Sequence, residues 1–211
     1  MQMTKVVILH KDAPLPEASF EELMRGASDE YRQRAAKMLR HNAENLLLGE
    51  ALARRMIAGQ TGAAPEALIF GRTEHGKPVL RGHADLHFNL SHSGPYIACA
   101  LSPAAVGIDV QMLSSAQLRV AERFFTEHEY HYVLEADSAL RFCRVWTMKE
   151  SYVKRAGLGI SAMPLNSFDV LSMPPGMFHE IPLDDAALCQ ICGEMGLGIQ
   201  VLRSSVAEFL S

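Results

Sequence analysis

The stretch WTMKESYVKRAGLGI, Trp146–Ile160, decides how the rest of the chain is read. On helical periodicity Glu150 and Lys154 lie four residues apart and share one face, with Trp146 one turn earlier on the same stripe. Lys149, Val153 and Ala156 form the neighbouring stripe, and Val153 and Ala156 suit burial. Gly157 and Gly159 stop the helix, because glycine tolerates the left-handed conformation that commonly ends one. In isolation an E-x-x-x-K pair is an intrahelical ion pair stabilising by a few tenths of a kcal/mol. Its meaning here depends on what the other segments place beside it.

Outward from that helix, AAVGIDVQ reads as a strand with Val106, Ile108 and Val110 on one face and Gly107, Asp109 and Gln111 on the other. LHFNL and YIACALS read as two strands joined by SHSGP, with Ser91, His92 and Ser93 at the hairpin tip. EHGKPVL is a turn into an extended segment, with Gly76 and Pro78 fixing the backbone around Lys77. TKVVILH opens the chain as a strand, and residues 20–58 are helical almost throughout, the last piece being Ala43–Ile57 capped by Asn42. Just before that piece stand Arg32, Arg34, Lys37 and Arg40 at near-helical spacing. A polar helical section, Ser114–Arg144, leads into the central helix; beyond it NSFDVL, ALCQIC and LGIQVL are strand candidates, and VAEFL a short helix or tail.

Composition sets the outer bounds. With 211 residues, 48% hydrophobic and 21% charged, the chain is an ordinary globular protein with room for one core or two small lobes. A net charge of −4 without a Lys/Arg run argues against a nucleic-acid binder, though not against a local basic pocket. VVIL and LLLGEALA are too short to span a membrane, and the N-terminal apolar run is too brief for a signal peptide. Of Cys99, Cys143, Cys189 and Cys192 only the last two are close, as C-Q-I-C in a strand that sends the sulfurs to opposite faces. All four are expected as reduced core thiols in a cytoplasmic protein.

Two segments echo each other: LGEALARRMIAGQTGAAPEALIF and TMKESYVKRAGLGISAMPLNSFDV both run helix, glycine, small residues, proline, strand. The echo suggests two similar lobes, residues 1–104 and 105–211, within one compact unit. Taken together, Asp109, Glu150 and the Gln111 amide make an oxygen-rich metal site beside groups suited to phosphates.

GKP at 76–78, FNLSHSG at 88–94, VGIDVQ at 106–111, RFFTEHE at 123–129 and the Trp146–Ile160 stretch together resemble the 4′-phosphopantetheinyl transferases. Order and spacing are similar to the larger single-chain, surfactin-synthetase-activating (Sfp-like) type rather than to the short trimeric synthases. The resemblance runs from about Arg32 to Val170. It implies an α+β fold of two similar α/β lobes related by pseudo-twofold symmetry, with coenzyme A in the cleft between them. It also implies transfer of the phosphopantetheine arm to a serine of an apo acyl or peptidyl carrier protein, with release of 3′,5′-ADP. Magnesium, or manganese in its place, would be held by Asp109, Glu150 and Gln111.

By the same resemblance Glu150 is the general base, Lys154 neutralises or protonates the leaving phosphate, and Asp109 completes the catalytic group. Lys77, Pro78, Ser91 and His92 hold the coenzyme, and Glu129 is a supporting acid near the metal. This chain departs from the family pattern in two places. Gln111 stands where a second acid is usual, and Asn45 where an arginine is common; Arg34, Lys37 and Arg40 are the expected substitutes for that arginine. Arg119, Arg123 and Phe124 are the candidate surface for an acidic, transiently bound carrier. A monomer is expected, because two lobes in one chain supply the interface that single-lobe relatives make between subunits. Rival readings are a coenzyme A binder without catalysis and a magnesium-dependent phosphohydrolase, which product analysis separates.

Overall fold

The structure, a computed structural model, describes residues 3–114, 117–184 and 186–211. Among the described residues three sheets carry the fold. In the first, the strands run in the order β4 (His87–Ser93), β5 (Tyr96–Ser102), β1 (Met3–His10) and β9 (Gly198–Ser205). A short ribbon pairs β2 (Phe70–Arg72) with β3 (Pro78–Leu80). The third sheet has the order β6 (Gly107–Met112), β8 (Ala187–Cys192), β7 (Phe178–Asp184).

Each large sheet carries one long helix. α3 (Arg40–Thr61) packs on β4 and β5, and α6 (Ser138–Ala156) packs on β6 and β8. α1 (Glu17–Gly26) and α2 (Asp29–Ala35) lean on α3, while α4 (Leu118–Phe124) and α5 (Glu127–Glu135) gather beside α6. α7 (Gly159–Ala162) follows α6, and α8 (Val206–Leu210) follows β9. This is the mixed α+β architecture of two helix-on-sheet lobes that the resemblance implies.

The alternation read for AAVGIDVQ explains how the lobes join. Val106, Ile108 and Val110 pack against Val6, Ile8, Ala98 and Ala100 of the first sheet, so one core is shared by both sheets. The opposite face of β6 lies under α6. There Gly107 is required by space: a Cβ at that position would sit 1.9 Å from the Ser151 carbonyl oxygen and 2.5 Å from the Arg155 nitrogen. Gly107→Ala is therefore expected to force α6 off the sheet, lowering stability by about 2 kcal/mol and the catalytic rate with it. A urea midpoint and rate both equal to wild type would show that α6 slides without consequence.

A second tie is made by side chains. Asn89 Oδ1, Ser91 Oγ and Ser93 Oγ accept the backbone N–H groups of Ile108, Val110 and Met112, at 2.8, 3.1 and 3.2 Å. The offset along the chain is constant, so β4 and β6 run parallel, joined through alternate side chains of one strand face rather than through carbonyls. Consequently Ser91, His92 and Ser93 lie within β4, not at a hairpin tip. The turn is Gly94–Pro95, with Gly94 at φ 54°.

Other expectations need correction. α3 begins at Arg40 with Leu39 as its N-cap, so Asn42 lies inside the helix. Its first turns are anchored instead by the buried Glu44, which accepts the Leu15 N–H at 3.2 Å and pairs with Lys11 at 2.7 Å. NSFDVL forms two 3₁₀ turns, Leu165–Ser167 and Val170–Ser172, rather than a strand. The strand it was to supply is β7, which contains Pro182; proline is tolerated there because β7 is an edge strand with a register shift at that residue. Ala156 is exposed, since α6 has by then passed the start of β6. Gly157 caps the helix at φ 73°, as expected. Ser115 and Ala116, in the section expected to be helical from Ser114, lie outside the described residues.

Candidate active site

β6 carries Asp109 and Gln111, α6 carries Trp146, Glu150 and Lys154, and β4 carries Ser91 and His92; all line one cleft of about 470 Å³. Pro78 closes it from β3, and Arg34 and Tyr31 reach it from α2. A neighbouring compartment of about 410 Å³, lined by His75, Lys77, Gly157 and Gly159, shares Pro78, Glu150 and Lys154 with it. Helical spacing thus puts one carboxylate and one ammonium over the strand that presents a second carboxylate.

Asp109 is 5% exposed. Its Oδ1 accepts Lys154 Nζ at 2.5 Å and Ser91 Oγ at 2.9 Å. Its Oδ2 is buried and has no partner among the described residues. Glu150 makes no ion pair among the described residues, and burial together with the Asp109 charge raises its carboxyl above the ordinary glutamate range. His92 is pushed down, chiefly by burial and then by the Lys154 and Arg34 charges, so it is neutral at neutral pH.

An orphaned buried oxygen beside an unpaired carboxylate fits a hard divalent cation. No cluster of three or more His, Cys, Asp or Glu exists among the described residues. The protein therefore offers two carboxylates and the Gln111 amide, a donor set that suits magnesium, which typically keeps waters and takes substrate phosphate oxygens.

The expected coenzyme residues divide. Arg34 borders the cleft, exposed, ion-paired to Glu30 at 3.6 Å and lying over the Tyr31 ring. Arg40 does not reach it: Nε bonds Glu44 at 3.1 Å, Nη1 bonds Glu17 at 3.0 Å, and the guanidinium stacks on Phe20. Lys37 is exposed and does not line the cleft. The cation that sequence reasoning missed is Arg72 of β2, which lines the cleft and bonds Glu30 through Nε at 2.7 Å. Its only signal was a basic residue at the end of ALIFGR. Asn45 donates to the Gly94 carbonyl at 3.0 Å, leaving its buried Oδ1 at the cleft wall without a partner among the described residues.

Lys77 sends its ammonium away from the open cleft. Nζ donates to the carbonyls of Val106 at 3.1 Å and Arg155 at 3.2 Å, tying the GKP turn to the start of β6 and the last turn of α6. Burial, aided by the Arg155 charge, lowers its pKa to about 8. A lysine lowered in the folded state gives up its proton while the unfolded chain still holds one, so Lys77 makes a contribution to stability that grows with pH between about 8 and 10.5. Its sign is opposite to that of the four buried thiols, whose raised pKa values remove stability above about 9. Lys77→Met is expected to remove the Lys77 contribution, so that the variant's stability falls more steeply with pH across this window than the wild type's. Urea unfolding across this window checks it, and an unchanged pH slope in the variant would refute the assignment.

Glu129 is not near the metal position. It and Lys149 are both 0% exposed and pair at 2.7 Å. Glu129 also accepts the N–H groups of Val170 and Thr126, and Lys149 donates to the Leu165 and Phe168 carbonyls. The pair holds α5 and the 3₁₀ turns to α6. Arg119 and Arg123 are exposed on α4, whereas Phe124 is half-buried against Trp146.

Two family descriptions match consecutive parts of the chain. The 4′-phosphopantetheinyl transferase superfamily description covers residues 105–204, and the N-terminal description of the 4′-phosphopantetheinyl transferases covers residues 14–104. The 4′-phosphopantetheinyl transferase Sfp of Bacillus subtilis is 35% identical over 192 residues, 89% of this chain and 85% of its own. HetI of Nostoc, a 4′-phosphopantetheinyl transferase, is 30% identical over 70% of this chain and 67% of its own. The mouse L-aminoadipate-semialdehyde dehydrogenase-phosphopantetheinyl transferase is 28% identical over 74% of this chain and 58% of its own.

Proposed function

Since the chain belongs to the 4′-phosphopantetheinyl transferase superfamily, we propose that it transfers the phosphopantetheine arm of coenzyme A to a carrier-protein serine. The observation that carries the reading is the convergence of Asp109, Glu150 and Lys154 on one cleft. In this scheme the serine oxygen bonds to the phosphorus nearer the pantetheine arm. The bond from that phosphorus to the bridging oxygen breaks, and 3′,5′-ADP departs. Glu150, directly or through water, takes the serine proton, which its raised pKa suits it to do. Lys154 neutralises or protonates the leaving phosphate.

Asp109 and Glu150 would hold magnesium, with the Gln111 amide as a weaker third donor; when bound, the ion neutralises charge on the pyrophosphate. Arg34, Arg72 and neutral His92 form the side of the cleft suited to anionic groups, and Pro78 its wall. Arg119 and Arg123, with the exposed Leu118 beside them, are the proposed meeting surface for a transient, acidic carrier.

We treat the protein as a monomer of two lobes that divide near residue 104, residues 1–104 and 105–211, with β9 and α8 of the second half returning to the sheet and core of the first. The reading is supported by the β4–β6 side-chain ties and the β1–β9 pairing, which join the halves within one chain. A cytoplasmic location is supported by four free, buried cysteines. No helix among the described residues is long and apolar enough to cross a membrane.

The test is the intact mass of an apo carrier incubated with the protein, coenzyme A and Mg²⁺. A gain of one phosphopantetheine, lost on chelation, is the expected result. Free phosphopantetheine without carrier modification would instead mark a hydrolase.

A further inference from the structure

Ser91 sits at the centre of the cleft, 8% exposed, where a phosphate-gripping hydroxyl would be expected from the resemblance. Its bonds say otherwise. Oγ donates to Asp109 Oδ1 at 2.9 Å, and it accepts the Val110 N–H at 3.1 Å and an N–H of Lys154 at 3.1 Å. A hydroxyl has one proton and two lone pairs, so these three bonds use its whole capacity. A phosphate oxygen needs a donor, and the single proton of the Ser91 hydroxyl is committed to Asp109.

The same bonds fix the carboxylate. Oδ1 of Asp109 is taken by Ser91 and Lys154, while Oδ2 is buried and unpartnered among the described residues. Because Ser91 is itself anchored to the backbone of the strand that carries Asp109, it stops the carboxylate from rotating about its last bond. We infer that the Ser91 hydroxyl is a positioning group for Asp109, holding Oδ2 toward the divalent cation, and is not itself a ligand of the coenzyme's phosphates. The inference rests on the transferase reading for the cation itself. Partners of ligating carboxylates typically contribute about 10–100-fold to metal affinity.

Ser91→Ala, with Ser93→Ala as control, separates the roles. Ser93 makes the equivalent tie to β6, through the Met112 N–H, and is not among the groups that bond Asp109. Two quantities are measured on the full chain: coenzyme A affinity by calorimetry with a chelator present, and Mn²⁺ affinity by electron paramagnetic resonance. Ser91→Ala is expected to weaken Mn²⁺ by about 10-fold or more while leaving metal-free coenzyme affinity within about twofold; Ser93→Ala should move neither. Ser91→Thr, which keeps the hydroxyl, should restore Mn²⁺ affinity. If Ser91→Ala does not fold, Ser91→Cys, a weaker donor of similar size, is read in the same way. Loss of metal-free coenzyme binding, or unchanged Mn²⁺ affinity, would overturn the inference. Wild-type protein that binds no Mn²⁺ would fail at the earlier step, removing the cation on which both readings depend.

Discussion

Replacing Glu150 with glutamine is expected to slow carrier modification by about 10³-fold, within the range that a positioned general base contributes. The substitution keeps size and shape and removes only the charge and the ability to take a proton. Stability should not fall with activity. Burial and the neighbouring Asp109 charge disfavour the ionised Glu150, so removing that charge relieves a strain on the folded state. The variant should therefore melt no lower than the wild type and still bind coenzyme A when metal is chelated. A rate within tenfold of wild type would sink the assignment of Glu150 as base. A large drop in melting temperature would show that its role is structural.

The largest effect on stability is expected one residue earlier on the same helix. Successive helix positions point about 100° apart, so Lys149 faces the interior while Glu150 faces the cleft. Lys149→Ala strands the Glu129 carboxylate in a site with no access to water, and breaking such a pair typically costs about 3–5 kcal/mol. For a domain of this size that corresponds to a fall of roughly 10 °C in melting temperature. Burial lowers the Lys149 pKa, but the Glu129 carboxylate at 2.7 Å and two backbone carbonyls keep the ammonium paired. Replacing both partners, Lys149→Met with Glu129→Leu, is expected to recover much of the loss, because the desolvation of two charges disappears with them. A single variant that costs less than about 1 kcal/mol would mean that water reaches the site.

Periodicity made the architecture of the cleft legible. The stripe of Glu150 and Lys154, the alternation that puts Asp109 and Gln111 on one face, and the Gly157 stop all follow from local geometry and hold in the structure. What local geometry does not carry is the identity of a side chain's partner. Arg40 and Arg34 look equivalent in the sequence, yet Arg40 is captured by Glu17, Glu44 and Phe20 from other parts of the chain. Glu129 reads as an acid beside a motif, but its capping box and the buried Lys149 turn it inward. Ser91 and Ser93 read as turn chemistry because their acceptor oxygens serve a strand that begins 14 residues after Ser93. β7 went unread because Pro182 disguises a strand whose edge position alone makes proline tolerable.

The parallel pairing of β1 with β9, from Met3↔Gly198 to His10↔Ser205, also bears on how the molecule is made. A ribosome releases residues 3–10 long before residues 198–205 exist. Through most of synthesis β1 therefore has one neighbour available in β5 and one bare edge. Such an edge is a template for adventitious strand addition until its own partner emerges. The first sheet can close only after residues 198–205 have been translated, so the slowest contact to form is also the one that seals the earliest strand. Nascent chains stalled before residue 198 should be the aggregation-prone species of this protein.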